Sequence, residues 1–187
     1  GHHFPAVTLV GILDADQGLF AADFRASERL AQTIYQVSGR CGRGDHPGRV
    51  LIQTHQPQHP VLRALLHGGY GTFAAELLAE RDAAGWPPFS HLALLRAEST
   101  RHEDALWFLG ETLSLAAELG HAGVELLGPV PAPMPKRAGR YRAQLLLQAQ
   151  RRAPLHTLLR AWLPALAQLP AARQVRWSLD VDPLDTY

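Results

Sequence analysis

Gln174–Asp182, QVRWSLDVD, alternates apolar and polar residues along its length. Val175, Trp177, Leu179 and Val181 fall on one side of an extended chain, the period of a half-buried β-strand. The stretch completes a series that starts at Ser90–Ala97 (SHLALLRA), which reads as a strand. A helix follows over Glu103–Leu119, with Leu106, Phe108, Leu109, Leu113, Ala116 and Ala117 as its apolar positions. Val124–Leu127 reads as a strand, Pro129 to Gly139 as a proline-rich basic loop, and Tyr141–Gln148 as a strand. Leu155–Leu169 reads as a helix interrupted near Pro164. The order is βαββαβ, the split-βαβ or ferredoxin-like α+β arrangement of an antiparallel sheet with two helices on one face.

The amino-terminal part has a different texture. Val7–Asp16 (VTLVGILDAD) is a nearly all-apolar run ending in carboxylates, the signature of a strand buried on both faces of a parallel sheet. Asp23 suits a helix N-cap, and Leu30, Ile34 and Val37 extend a helix from about Phe24 to Ser38. Arg49–Thr54 is a second short strand. Strand, helix, strand with buried character is an α/β pattern. Too few elements are present to close such a fold, so the stretch reads as the tail of a larger domain. Residues from His59 to Ala84 read as helical, and Trp86-Pro87-Pro88 stops any helix. The expected organisation is 1–58, the end of an α/β domain; 59–88, a helical connector; and 89–187, a terminal α+β domain.

Composition excludes some classes. Net charge is +1, but no Asp or Glu occurs between Leu126 and Leu179, a window holding nine of the 18 basic residues. Such a one-sided block points to an anionic partner. The single cysteine, Cys41, rules out an internal disulfide or a zinc site of two thiolates, and fits a reducing, cytoplasmic compartment. No apolar run is long enough to span a bilayer. All four tryptophans fall within or beside element patterns and read as core. Asp14 and Asp16 read as polar strand ends rather than metal ligands, and His55 and His59, with Pro57 between them, as loop.

Two stretches carry candidate chemistry. Gln36–Gly44, QVSGRCGRG, sets Arg40 and Arg43 in a glycine-rich turn after a helix. Arginine bonds phosphate with two parallel N–H groups, and glycines let backbone approach a ligand closely. A plain basic turn is the alternative reading of the spacing. The pattern G-x-x-G-x-G after a helix is the reverse of a dinucleotide fingerprint, which argues against that class. The second stretch, Lys136-Arg137-Ala138-Gly139-Arg140-Tyr141-Arg142, combines phosphate-binding cations with an aromatic that could stack a base. Its structural alternative is a solvated hairpin with Tyr141 in the core.

Gln36-Val37-Ser38-Gly39-Arg40-Cys41-Gly42-Arg43 resembles the last helicase motif of superfamily 2, Q-x-x-G-R-x-x-R. GHHFPAVTLVGILDADQGLFAADFRASERLAQ before it, and TFAAELLAERDAAGWPPFSHLALLRAE, LGPVPAPMPKRAGRYRAQLLLQ and VRWSLDVDP after it, resemble the primosomal replication-restart DNA helicases, the PriA family. The resemblance covers essentially the whole chain and places it at the carboxyl end of such a helicase. Cys41 and Ser38 stand where the family usually, or often, has alanine.

The resemblance implies that residues 1–58 end a RecA-like second motor lobe, within a 3′–5′ ATP-dependent helicase that restarts stalled forks and assembles the primosome. Arg43 and Arg40 would act on the ATP γ-phosphate, with Gln36, Gly39 and Gly42 shaping that nucleotide site. ATP, Mg²⁺ and an upstream zinc would belong to the whole helicase. No Walker loop occurs in these 187 residues, so the chain alone is expected to be inactive. The terminal domain would bind branched, forked or single-stranded DNA and the acidic tail of single-stranded-DNA-binding protein through Lys136, Arg137, Arg140, Tyr141, Arg142 and Gln144. Other primosome proteins are expected partners, a membrane is not. The competing class is a free-standing nucleic-acid-binding module in which QVSGRCGRG is only a basic loop.

Overall fold

The computed structural model describes residues 7–21, 23–39, 41 and 48–186. The chain divides into two compact units, Gly1–Glu80 and Arg81–Tyr187. No helix among the described residues is long and apolar enough to cross a membrane.

In the first unit, strands β1 (Leu9–Ile12) and β2 (Arg49–Ile52) pair in parallel, Leu9 opposite Arg49 and Ile12 opposite Ile52. Helices α1 (Asp16–Leu19) and α2 (Ala26–Ser38) lie between them in sequence, a βαβ unit. Helix α2 begins two residues later than expected. The Asp23 carboxylate accepts the Arg25 backbone N–H at 2.9 Å and pairs with the Arg29 side chain, so it ties the turn before the helix. Leu30, Ala31 and Ile34 pack with Ala15, Leu19, Leu62 and Phe73 in one apolar cluster. The buried-strand expectation is not met: among the described residues each strand has one neighbour, and Leu9, Leu51 and, just past β1, Leu13 are exposed. Helix α3 (Pro60–Arg63) starts with the His59 ring accepting the Val61 N–H at 3.3 Å. It continues through a π-helical turn, Ala64–Gly68, into helix α4 (Gly69–Ala83).

The second unit is built as QVRWSLDVD requires. Its order is β3 (His91–Ser99), α5 (Asp104–Leu119), β4 (Glu125–Arg137), β5 (Arg140–Ala149), α6 (Arg152–Leu166), a 3₁₀ turn (Pro170–Arg173) and β6 (Arg176–Val181). The sheet order is β4-β5-β3-β6 with every neighbour antiparallel. Each βαβ half thus straddles a strand of the other, the split-βαβ arrangement read from the sequence. Ala93, Leu95 and Ala97 of β3 and Ala143, Leu145 and Leu147 of β5 share one core with Phe108, Leu109, Leu155 and Trp162 of the two helices. Trp162 is fully buried and donates its indole N–H to the Thr112 carbonyl at 2.9 Å.

Two readings need correction. The expected proline-rich loop is most of β4. Prolines occur at 129, 131, 133 and 135, every second residue, and β4 is an edge strand. The β4–β5 register shifts between Leu127 and Val130 and between Pro131 and Lys136, so Pro129, Pro133 and Pro135 fall outside the paired positions and their missing N–H groups forfeit no ladder bond. Trp107 is not core: it is 68% exposed. It lies two residues on from buried Ala105, about 200° around the helix and so on the opposite side.

Candidate ligand cleft on the open face of the sheet

The strict alternation of β5 sorts the predicted site residues. Ala143, Leu145 and Leu147 point to the helices, so Arg140, Arg142 and Gln144 point to the other, open face, and Tyr141 does not. The antiparallel register then sets two rows across three strands. Gln144, Arg96 and Ser178 form one row; Arg142, Glu98 and Arg176 form the next. They line a cleft of about 330 Å³, closed at one side by Ala132 of β4.

Glu98 is the carboxylate of this cleft. Its Oε1 lies 3.8 Å from Arg140 Nε and 3.8 Å from Arg176 Nη1, and it sits directly across β5 from Arg142. Two guanidinium groups therefore pair with one carboxylate, Arg142 stands opposite it in the ladder, and Arg96 occupies the neighbouring row. Arg96 is taken up by Asp180 Oδ2 at 3.3 Å and Asp185 Oδ1 at 3.0 Å. Gln144 donates through Nε2 to the Thr186 carbonyl at 3.1 Å, while its buried Oε1 has no hydrogen-bond partner among the described residues. The local charge is net positive, and an unsatisfied acceptor lies beside the cations. Such a site suits a ligand that brings both a carboxylate and an N–H group.

The remaining predicted residues are elsewhere. A two-residue turn, Ala138-Gly139, with both φ values positive, joins β4 to β5. Lys136 and Arg137 are exposed near this hairpin end, opposite Tyr141 and Arg140 respectively. Lys136 Nζ stands 4.6 Å above the Tyr141 ring, whose other contact is an edge-on His102 at 5.0 Å. Tyr141 is thus half-buried between a cation and an imidazole. In the first unit, Gln36 and Gly39 are exposed at the end of α2, while Arg40, Gly42 and Arg43 lie outside the described residues. Gly39 has φ −67, and a Cβ there would come no closer than 3.5 Å to the Tyr35 carbonyl, so the backbone does not itself require glycine at 39.

Sequence reasoning missed Arg96, Glu98 and Arg176. They lie in other strands, and only the pairing register brings them to Arg140 and Gln144. The signal available was that Arg96 and Glu98, two residues apart, break an otherwise apolar strand, in the phase opposite to the buried Ala93, Leu95 and Ala97. Asp14 and Asp16 lie beyond β1, which ends at Ile12, and Asp16 opens α1. The Thr54 hydroxyl and the His55 backbone N–H both bond the Asp16 carboxylate, which ties the start of α1 to the segment after β2 and holds Asp16 below the usual carboxylate range.

Residues 82–184, the whole sheet and both its helices, match the family described as the primosomal protein N C-terminal domain. The chain belongs to the PriA family. It is 47% identical over 185 residues to the replication restart protein PriA of Haemophilus influenzae, covering 99% of this chain and 25% of that protein. Its identity is 37% over 187 residues to PriA of Rickettsia typhi, and 39% over 180 residues to PriA of Synechocystis, with 28% and 21% of those proteins covered. The chain thus spans about a quarter of the length of the curated PriA proteins it matches.

Proposed function

We propose that the chain serves in an ATP-dependent 3′–5′ DNA helicase of replication restart, acting in the cytoplasm. The observation that carries this reading is its alignment along almost its full length with PriA of H. influenzae. In this reading the first unit ends a RecA-like motor lobe. The apolar residues left exposed on and beside its two-stranded sheet, Leu9, Leu51 and the adjoining Leu13, would pack against the rest of that lobe. Arg43 and Arg40 would neutralise phosphate charge at a nucleotide held by the other lobe, with Gln36, Gly39 and Gly42 forming the turn. ATP with Mg²⁺, and the family's zinc, would be bound by parts of the helicase beyond these residues. The 187 residues alone would not hydrolyse ATP.

The second unit would supply two binding surfaces. The open-face cleft, with Arg140, Arg142 and Gln144 joined by Arg96 and Arg176, would take the acidic, carboxylate-ended tail of single-stranded-DNA-binding protein. A peptide offers carboxylates to the arginines and N–H groups to Gln144 Oε1, whereas a phosphodiester backbone offers acceptors alone. Lys136 and Arg137 at the hairpin end, beside Tyr141, would contact branched DNA through its phosphates.

The test is the ATPase of the complete helicase with forked DNA. Arg43→Ala is expected to abolish most hydrolysis, by about a thousandfold as for other phosphate-reaching arginines, with nucleotide binding retained. Full activity in that variant would leave QVSGRCGRG a basic turn and overturn the motor reading.

A further inference from the structure

The segment after β6 bonds two side chains that line the cleft just described, Arg96 and Gln144. Asp182 donates its backbone N–H to the Leu92 carbonyl at 2.9 Å, and Pro183 is buried. Arg96 Nη2 then donates to both the Asp185 carbonyl at 2.9 Å and the Asp185 carboxylate at 3.0 Å. Gln144 Nε2 donates to the Thr186 carbonyl, and Thr186 is only 8% exposed. Arg96 and Gln144 are also walls of the cleft. The chain therefore lays an acidic stretch, Asp-Pro-Leu-Asp-Thr, on the same donors that an acidic ligand would use. Its Leu184 side chain is left exposed.

We propose that residues 183–186 are a built-in competitor at this cleft, a strap that must lift from Arg96 and Gln144 before an acidic peptide can seat fully. The inference rests on the cleft being a peptide site. The strap imitates such a ligand in part. It places a carboxylate on Arg96 and a carbonyl on Gln144, but gives no donor to Gln144 Oε1, which stays unpartnered. An incoming peptide with an N–H at that atom gains a bond the strap lacks, so exchange favours the ligand when it is present. The hold on the strap is modest. Its ion pair is partly exposed, with side-chain exposures of 23% for Arg96 and 41% for Asp185. Apparent affinity for the ligand is the intrinsic affinity multiplied by the fraction of molecules in which the strap is lifted.

The experiment titrates the full chain and its Asp185→Ala variant with a synthetic oligo-aspartate peptide ending in phenylalanine with a free carboxylate. Amide hydrogen exchange of residues 184–186 is followed in parallel. Removing the Asp185 carboxylate is expected to tighten binding about three- to tenfold. Exchange at 184–186 is expected to speed up when peptide is added to the unsubstituted chain. Binding seen only in the variant supports the strap equally. Equal affinity in both proteins, with exchange at 184–186 unchanged by peptide, overturns the strap and leaves the peptide site standing. No binding to either protein overturns both.

Discussion

Glu98 makes opposite contributions to ligand binding and to folding, and Glu98→Gln separates them. Its carboxylate pairs with Arg140 and Arg176, each at 3.8 Å and near the limit of contact, with Arg142 opposite in the ladder. Both are partly exposed, and such pairs are worth at most about 0.5 kcal/mol each here, so the substitution costs the second unit less than about 1 kcal/mol. That is a fall of a few degrees in Tm, at most about 8 °C. An incoming carboxylate meets Glu98 as a like charge. At about 6 Å and an effective dielectric constant of roughly 40–80, the repulsion is about 0.7–1.4 kcal/mol, or roughly three- to tenfold in affinity. Fluorescence anisotropy with the labelled acidic peptide should therefore show tighter binding to Glu98→Gln. The gain should shrink at high salt, since screening acts over about 8 Å at physiological ionic strength. Arg140→Ala should weaken the same binding. If Glu98→Gln instead weakens it as much as Arg140→Ala does, Glu98 orients the arginines rather than opposing the ligand, and the electrostatic account of the cleft fails.

Other outcomes follow from the same geometry. Trp162→Phe loses a buried indole bond to Thr112 and leaves a small void, and should destabilise the second unit by roughly 2–3 kcal/mol in urea unfolding; Trp107→Phe, on an exposed helix face, should stay within about 0.5 kcal/mol. Asp16 has its folded pKa lowered by Thr54 and His55, so its contribution is present above the unfolded carboxylate value of about 4 and is lost as pH falls through the folded value. Asp16→Asn should therefore lower the stability of the first unit at neutral pH, with the difference closing below that range in acid titrations followed by circular dichroism.

The βαββαβ unit was legible because two of its strands alternate. RYRAQLLLQA buries one face only, and in QVRWSLDVD Val175, Trp177 and Leu179 pack on the core while Val181, at the strand end, is exposed. The proline-rich stretch was misread because proline normally marks a loop, and its tolerance depends on β4 being an edge strand, a fact of sheet order and not of local sequence. Trp107 was misread by residue type where helix phase was the better guide. In the first unit, VTLVGILDAD reads as a doubly buried strand, yet Leu9 is exposed with a single neighbouring strand present. The motif residues Arg40, Gly42 and Arg43 were legible only through resemblance to a family.

The cleft was half legible for a related reason. Arg140, Arg142 and Gln144 are close in sequence, and Tyr141 among them invited a single basic-aromatic site. A strand cannot present all four together, because adjacent residues face opposite ways. Tyr141 goes with Lys136 and His102, while the arginines go with Glu98 and Arg176, about 40 residues away on either side. The ligand face is therefore a property of register. A slip of one residue in β3 would turn Arg96 and Glu98 into the core and carry Ala97 out to the cleft. What prevents it is the other face, where Ala93, Leu95 and Ala97 fit against Leu145, Leu147, Phe108 and Leu109. Packing that touches no ligand thus holds the arginines in their rows, so a conservative core change on β3 or β5 can alter affinity at the cleft without altering any residue that lines it.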